Sequence, residues 1–195
     1  MQYLKAQLQS LVQLTDAECT YFIAQLQPKK YKRHEFLLRE GEVCKHVFFI
    51  VKGLTRYFYT NAEGNEHTGQ FFFETSWYTD YDSFLTGKPS EQSLQALEKS
   101  EVLLLPKPNL YRLYDENPKF ERFGRLMAEQ AFLGVRQRNT SLLSESPEER
   151  YLNLIQQRPK VIDRVPLHYI ASYLGIKPES LSRIRKRLYD ARQKS

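Results

Sequence analysis

The chain of 195 residues is poor in the groups that do redox and metal chemistry. It has two cysteines, Cys19 and Cys44, and four histidines, His34, His46, His67 and His168. Two thiols are too few for a four-cysteine iron–sulfur or zinc site. Nor do they form the framework of a disulfide-stapled domain, so both are expected to be reduced structural thiols. The histidines are scattered, with no H-x-H or H-E-x-x-H pair, so the clustered donors of a metal site are not expected. No run reaches the ~18 apolar residues that span a bilayer. The opening MQYLKAQLQS lacks the apolar core of a signal peptide, and a cytoplasmic location with no membrane partner follows as an expectation. No glycine-rich phosphate loop and no nucleophile elbow is present, so an enzyme is not expected.

What remains is a chain with 41% hydrophobic residues, enough for a real core, and a net charge of +6. The excess charge is not spread evenly. Residues 1–140 carry 18 Lys+Arg against 17 Asp+Glu, whereas residues 141–195 carry 11 against 6. A cationic last quarter on a nearly neutral body suggests a module that meets a polyanion, most often nucleic acid.

The pattern along the chain changes twice. "LTDAEC" places Thr15 at a helix N-cap with Glu18 three residues on, a capping box. Phe22, Ile23 and Leu26 continue at helical spacing up to Pro28. From Tyr31 to about Leu105 the runs "HVFFIVKG", "LTRYFYT", "TGQFFFE" and "SLQALEKSEVLLLP" are short and rich in β-branched and aromatic residues. "TNAEGNE" reads as a hairpin turn around Gly64. Turns about every ten residues favour a small antiparallel barrel or jelly roll. Past Pro106 the pattern is helical again. "NLYRLYDENP" fits a short helix, and a long one opens with Asn117 as N-cap and Pro118 at its first position. Phe123, Leu126, Met127, Gln130 and Leu133 lie on a broad band, expected to cover the barrel on one side and meet a second chain on the other. "SESPEER" starts another helix, with Ser146 and Glu149 as its capping box; Pro159 ends it.

The segment "VPLHYIASYLGIKPESLSRIRKRL" holds two short helical patterns. Ile170, Ala171 and Leu174 line the inner face of the first. Gly175 supplies a left-handed corner, Ile176 a plug, and Pro178 opens the second helix, with Leu181, Ile184 and Leu188 buried. Small residue, glycine, then apolar residues at these offsets are the pattern of a helix-turn-helix. The outward face of the second helix then has a job. Arg183 can pair bidentately with guanine and Glu179 can accept from the cytosine amino group. The two lie four residues apart and can brace each other. Lys177, Ser180, Ser182, Arg185, Lys186 and Arg187 suit phosphates.

The stretches "EGEVCKHVFFIVKGLTRYFY" and "ASYLGIKPESLSRIRKRL", in the order barrel, long helix, helix-turn-helix, resemble the Crp/Fnr family of bacterial transcription regulators over nearly the whole chain. The resemblance implies an α+β fold: an antiparallel, jelly-roll-like sensor β-roll with flanking helices over 1–116, a dimerisation helix over 117–143 and an all-α DNA-binding domain over 144–195. It implies a homodimer on a two-fold symmetric duplex, with half-sites ~34 Å apart and RNA polymerase as a further partner. The family's base-reading Glu and Arg carry over onto Glu179 and Arg183, while another base-reading arginine of the best-known members falls at Pro178. The chain stops soon after Arg187, so the β-hairpin wing of many relatives is expected to be missing. Cyclic-nucleotide binders hold the ribose and phosphate with a Gly-Glu pair and a downstream Arg. The matching "FFFETSWYTDYDSFLTGKPSEQSLQAL" has neither, and Glu91, near the expected arginine, would repel a phosphate. No cofactor and no cyclic-nucleotide effector are therefore expected. The aromatic crowd in this cassette either lines an effector pocket, with Phe73, Trp77, Tyr78, Tyr81 and Glu91 as candidates, or fills the cavity itself. The alternative class is a cupin-like small-molecule-binding protein or enzyme with a helical interaction module.

Overall fold

The computed structural model describes residues 2–193. Two compact units divide it: the chain up to Tyr57 together with Phe71–Leu133, and Phe58–Gln70 together with the chain from Gly134 onwards. These cuts differ from the expected boundaries at 116/117 and 143/144 in two ways. The long helix straddles the boundary, and one β-hairpin tip is grouped with the C-terminal helices.

The first unit opens with α1 (Gln2–Val12), which buries Leu4, Leu8 and Val12 at four-residue spacing. In α2 (Asp16–Ala24) the Thr15 hydroxyl accepts from the Glu18 amide and Glu18 accepts from the Thr15 amide, as the capping-box reading requires. The helix ends at Ala24; Pro28 already lies in β1 (Gln27–Tyr31). Seven further strands follow: β2 (Phe36–Leu38), β3 (His46–Lys52), β4 (Thr55–Thr60), β5 (Glu66–Phe72), β6 (Trp77–Tyr78), β7 (Ser93–Ala96) and β8 (Ser100–Pro106). They form two four-stranded sheets, ordered β1-β8-β3-β6 and β2-β7-β4-β5. Every pairing with a recorded register is antiparallel: β8 meets β1 with Val102 opposite Lys29, and β3 with Leu104 opposite Phe48.

Phe48, Phe49 and Ile50 of β3 are all buried, because both faces of that strand are covered. Phe48 stacks on Tyr78, which in turn meets Tyr57 and Phe72 of the opposite sheet, so this face is the barrel interior. Phe49 faces Trp77, and Trp77 meets Phe22 of α2 and Phe123, so the other face lies under a helix layer. Burying Phe48 or Phe49 in this way stabilises the fold by roughly 1.5–3 kcal/mol. The remaining helices of this unit are α3 (Tyr81–Thr86), α4 (Lys107–Glu116) and the first part of α5 (Pro118–Ser144). At the start of α5 the Asn117 carboxamide accepts from the Lys119 amide at 2.9 Å, the expected cap. Gly124 of α5 lets Tyr114 of α4 approach closely: a Cβ built on that glycine would lie 1.8 Å from the tyrosine hydroxyl.

In the second unit, α6 (Pro147–Gln157) begins on the predicted Ser146/Glu149 capping box. Pro159 does more than end it. A proline costs nothing at a first helical position, and here it opens a further short helix, α7 (Pro159–Arg164), which periodicity alone does not reveal. The corner pair is α8 (Leu167–Tyr173) and α9 (Pro178–Gln193). The hairpin tip is closed by Asn61, whose side-chain oxygen accepts from the Glu63 and Asn65 amides while its carbonyl accepts from Gly64.

Candidate nucleic-acid interface and sensor cassette

Ile170 and Ala171 of α8 and Leu174 after it are buried, as are Leu181 and Ile184 of α9; Ile176 and Leu188 are half-buried. Gly175 has φ +68, the left-handed corner that joins the two helices without strain. The Ile176 amide donates to the Ala171 carbonyl and the Gly175 amide to the Ser172 carbonyl, so the free carbonyls at the end of α8 are used. Arg150 of α6 adds its Nε to the Leu174 carbonyl at 3.0 Å and also donates to the Glu145 carbonyl, fastening α6 to the ends of two helices.

With that inner face buried, α9 turns the other one outward. Lys177, Glu179, Ser182, Arg183, Arg185, Lys186 and Arg187 are exposed and Ser180 is half-buried. Arg183, Lys186 and Arg187 line a shallow hollow with Asp190 and Ala191. Three local contacts refine the expected roles. Arg183 donates to Ser180 Oγ at 3.1 Å, so its recorded brace is Ser180 rather than Glu179. Ser182 donates back to the Pro178 carbonyl at 3.1 Å. Arg187 is ion-paired with Glu148 of α6, which couples α6 to α9 and offsets part of its charge; a partly exposed pair of this kind stabilises by about 0–1 kcal/mol.

Of the five candidate pocket residues, two point away from each other. Trp77 and Tyr78 are consecutive in β6 and point to opposite faces. The Trp77 indole N–H donates to Gln7 of α1 at 2.9 Å, under the helix layer, while Tyr78 points into the barrel. Phe73 is buried, and Tyr81 and Glu91 are exposed. The cassette is instead held by polar groups that the sequence reading passed over. Ser90 donates to the Asp80 carboxylate at 2.6 Å, in a pair that is almost fully buried. The Ser90 carbonyl accepts from the Gly41 amide and the Ser90 amide donates to the Glu42 carbonyl. Ser83 of α3 donates to the Lys88 carbonyl and accepts from the Cys44 amide. Arg56 of β4 is 1% exposed and donates to Gln95 Oε1 at 3.1 Å; Gln95 donates to the His34 carbonyl. A lone arginine inside the apolar run "LTRYFYT" was the available signal for this polar interior, since a buried guanidinium requires partners. Among the described residues, no group of three or more His, Cys, Asp or Glu comes together as a metal site.

A barrel of two antiparallel sheets, a long helix and a helix-turn-helix together have the fold of the Crp/Fnr-type regulators. Residues 28–117 match the cyclic nucleotide-binding domain family. Among solved structures, the chain is similar to FixK2 from Bradyrhizobium japonicum, with 17% identity, 85% of each chain covered and a TM-score of 0.72. It is also similar to the c-di-GMP-responsive global regulator CLP of Xanthomonas campestris, with 16% identity, 91% of this chain and 93% of that chain covered, and a TM-score of 0.73. A structure from Eubacterium rectale described as of the Crp/Fnr family aligns with a TM-score of 0.70 at 14% identity, over 91% of this chain and 85% of that one. A search of curated proteins by sequence finds no match. Among the described residues, no helix is long and apolar enough to cross a membrane.

Proposed function

We propose that this chain is a Crp/Fnr-type transcription regulator, working in the cytoplasm as a homodimer that reads double-stranded DNA with α9. The observation that carries the reading is the division of that helix: Leu181 and Ile184 are buried against the helix-turn-helix, and Glu179, Arg183 and Lys186 are open to solvent. Glu179 and Arg183 are the base-reading pair. Lys177, Ser180, Ser182, Arg185, Lys186 and Arg187 serve the phosphates, with Arg187 the weakest because Glu148 already holds it. Phe132, Leu133 and Val135 of α5 are 69%, 51% and 54% exposed, and this apolar stripe is what a second copy would cover.

Cyclic nucleotides are not the effector in this reading. The cassette carries no arginine, and the exposed Glu91, near where one is expected, would repel a phosphate. The cupin-like alternative finds no support in the side chains described above, and no catalytic role is assigned.

The test is selection of bound fragments from random duplex DNA, with the salt dependence measured on the winner. A preferred, two-fold symmetric duplex and a steep negative salt slope are expected. Equal binding to all duplexes would overturn the reading. Calorimetry of dialysed protein with cyclic AMP is expected to give no heat of binding, and saturable binding would restore the cassette as a nucleotide site.

A further inference from the structure

The second unit contains a piece of β-sheet. Phe58–Gln70, the outer part of the β4–β5 hairpin, is grouped with the C-terminal helices. β5 is the last strand of its sheet, so one row of its backbone groups meets no neighbouring strand. Open edges of this kind invite pairing with other chains and are usually blocked.

Here α8 and α5 close the edge. The Thr68 amide donates to Ser172 Oγ at 2.9 Å, and the Ser172 hydroxyl donates to the Glu66 carbonyl at 2.9 Å. The Arg138 guanidinium donates to the Thr68 carbonyl at 3.3 Å and to the Tyr173 carbonyl, and lies 3.7 Å over the Tyr173 ring. Arg158 donates to Gln70 Oε1. Residues 66 and 68 turn their outward groups to the same side of the strand, and a serine hydroxyl is both donor and acceptor, so one side chain replaces part of a missing strand.

The position on α8 matters as much as the bonds. Ser172 and Tyr173 are the last two residues of that helix, and the Ser172 carbonyl accepts from Gly175 at the corner. A displacement of the hairpin therefore reaches the corner that aims α9. The reading face of α9 remains open while these bonds are made, so they do not cover it.

We propose that Ser172 and Arg138 clasp the β4–β5 hairpin to the helix-turn-helix, and that this clasp regulates DNA affinity by holding the corner before α9, independently of any ligand in the cassette. The proposal rests on the DNA-binding reading. The experiment compares the full chain with Ser172→Ala and Arg138→Gln, measuring exchange of the Thr68 amide and affinity for the duplex that the wild type selects. Both variants are expected to fold and to exchange the Thr68 amide faster. They should bind the selected duplex about fivefold or more weakly, with an unchanged salt slope because no phosphate contact is lost. Faster exchange at Thr68 with wild-type affinity would overturn the clasp and leave these residues as edge protection alone. A wild type that prefers no duplex would instead overturn the DNA-binding reading, and the clasp with it.

Discussion

Phe123 of α5 meets the indole of Trp77 edge-on, with ring centroids 5.6 Å apart, and meets Phe22 of α2 at 5.8 Å. The start of the long helix is therefore part of its own protomer's core. Of the five residues on the band expected to cover the barrel on one side and meet a second chain on the other, Phe123 is buried there, Leu126 and Met127 pack against the same core, and Gln130 and Leu133 are exposed. Phe123→Ala is expected to cost about 3–5 kcal/mol of unfolding free energy. Urea denaturation measures this; a loss below 1 kcal/mol would remove Phe123 from the core. Leu133→Asp should leave that stability unchanged and split the proposed dimer, which light scattering at micromolar concentration reads directly. A Leu133→Asp protein as dimeric as the wild type would show that the stripe is not the interface.

Arg183 and Lys186 lie on the same exposed face of α9 but are assigned different work. Arg183→Ala is expected to lose ~1–3 kcal/mol of discrimination between the selected duplex and a single-base variant. Lys186→Ala should weaken all duplexes alike and lower the salt slope by about one. Competition binding at several salt concentrations separates the two. Equal losses for Arg183→Ala on selected and random DNA would take it out of base reading.

Glu18 ties the cap of α2 to the start of α5. It accepts from the Thr15 amide at 2.7 Å, from Asn117 at 2.9 Å and from Lys119 at 3.1 Å. These bonds, the Thr15 amide foremost, hold its carboxyl down at about 2, against an ordinary value of 4.5. A depressed folded-state pKa stabilises above the unfolded value and loses that contribution as the pH falls through the folded one. Glu18→Ala should therefore melt below the wild type at neutral pH, and the difference should close between pH 4.5 and 2. A difference constant over that range would show that the charge plays no part.

Gly124 sets two magnitudes against each other. Alanine at a helix interior gains about 1 kcal/mol over glycine by propensity alone. At this position its Cβ would overlap the Tyr114 hydroxyl at 1.8 Å and the ring carbon that carries it at 2.4 Å. Overpacking of that kind costs about 1–3 kcal/mol, so Gly124→Ala is expected to be destabilising despite the better helix former. Adding Tyr114→Ala should relieve the overlap, so the second substitution would cost less in the Gly124→Ala protein than alone. A simple sum of the two losses in a double-mutant cycle would contradict the contact.

Local chemistry made most elements legible. The Thr15/Glu18 and Ser146/Glu149 boxes mark helix starts because cap and partner are three residues apart and satisfy each other's amides. The corner at Gly175 is legible for a similar reason: a left-handed residue between two apolar patterns has few alternatives. Helix α7 is not, because Pro159 can equally end one helix or begin the next. In the cassette, alternation separates two of the candidate rings. Trp77 and Tyr78 are adjacent in sequence, so a strand sends them to opposite sides, and only the packing of α1, α2 and α5 decides which side is covered.

By itself the sequence determined the order of the parts, the helix-turn-helix and the cationic outward face of α9, because capping, corner geometry and periodicity act over a few residues. Only the tertiary structure decided what touches across long separations. It spends Phe123 on the core, pairs Asp80 with Ser90 inside the cassette, and joins Thr68 to Ser172, 104 residues away. Those contacts depend on which faces of distant elements meet, and neither composition nor spacing carries that information.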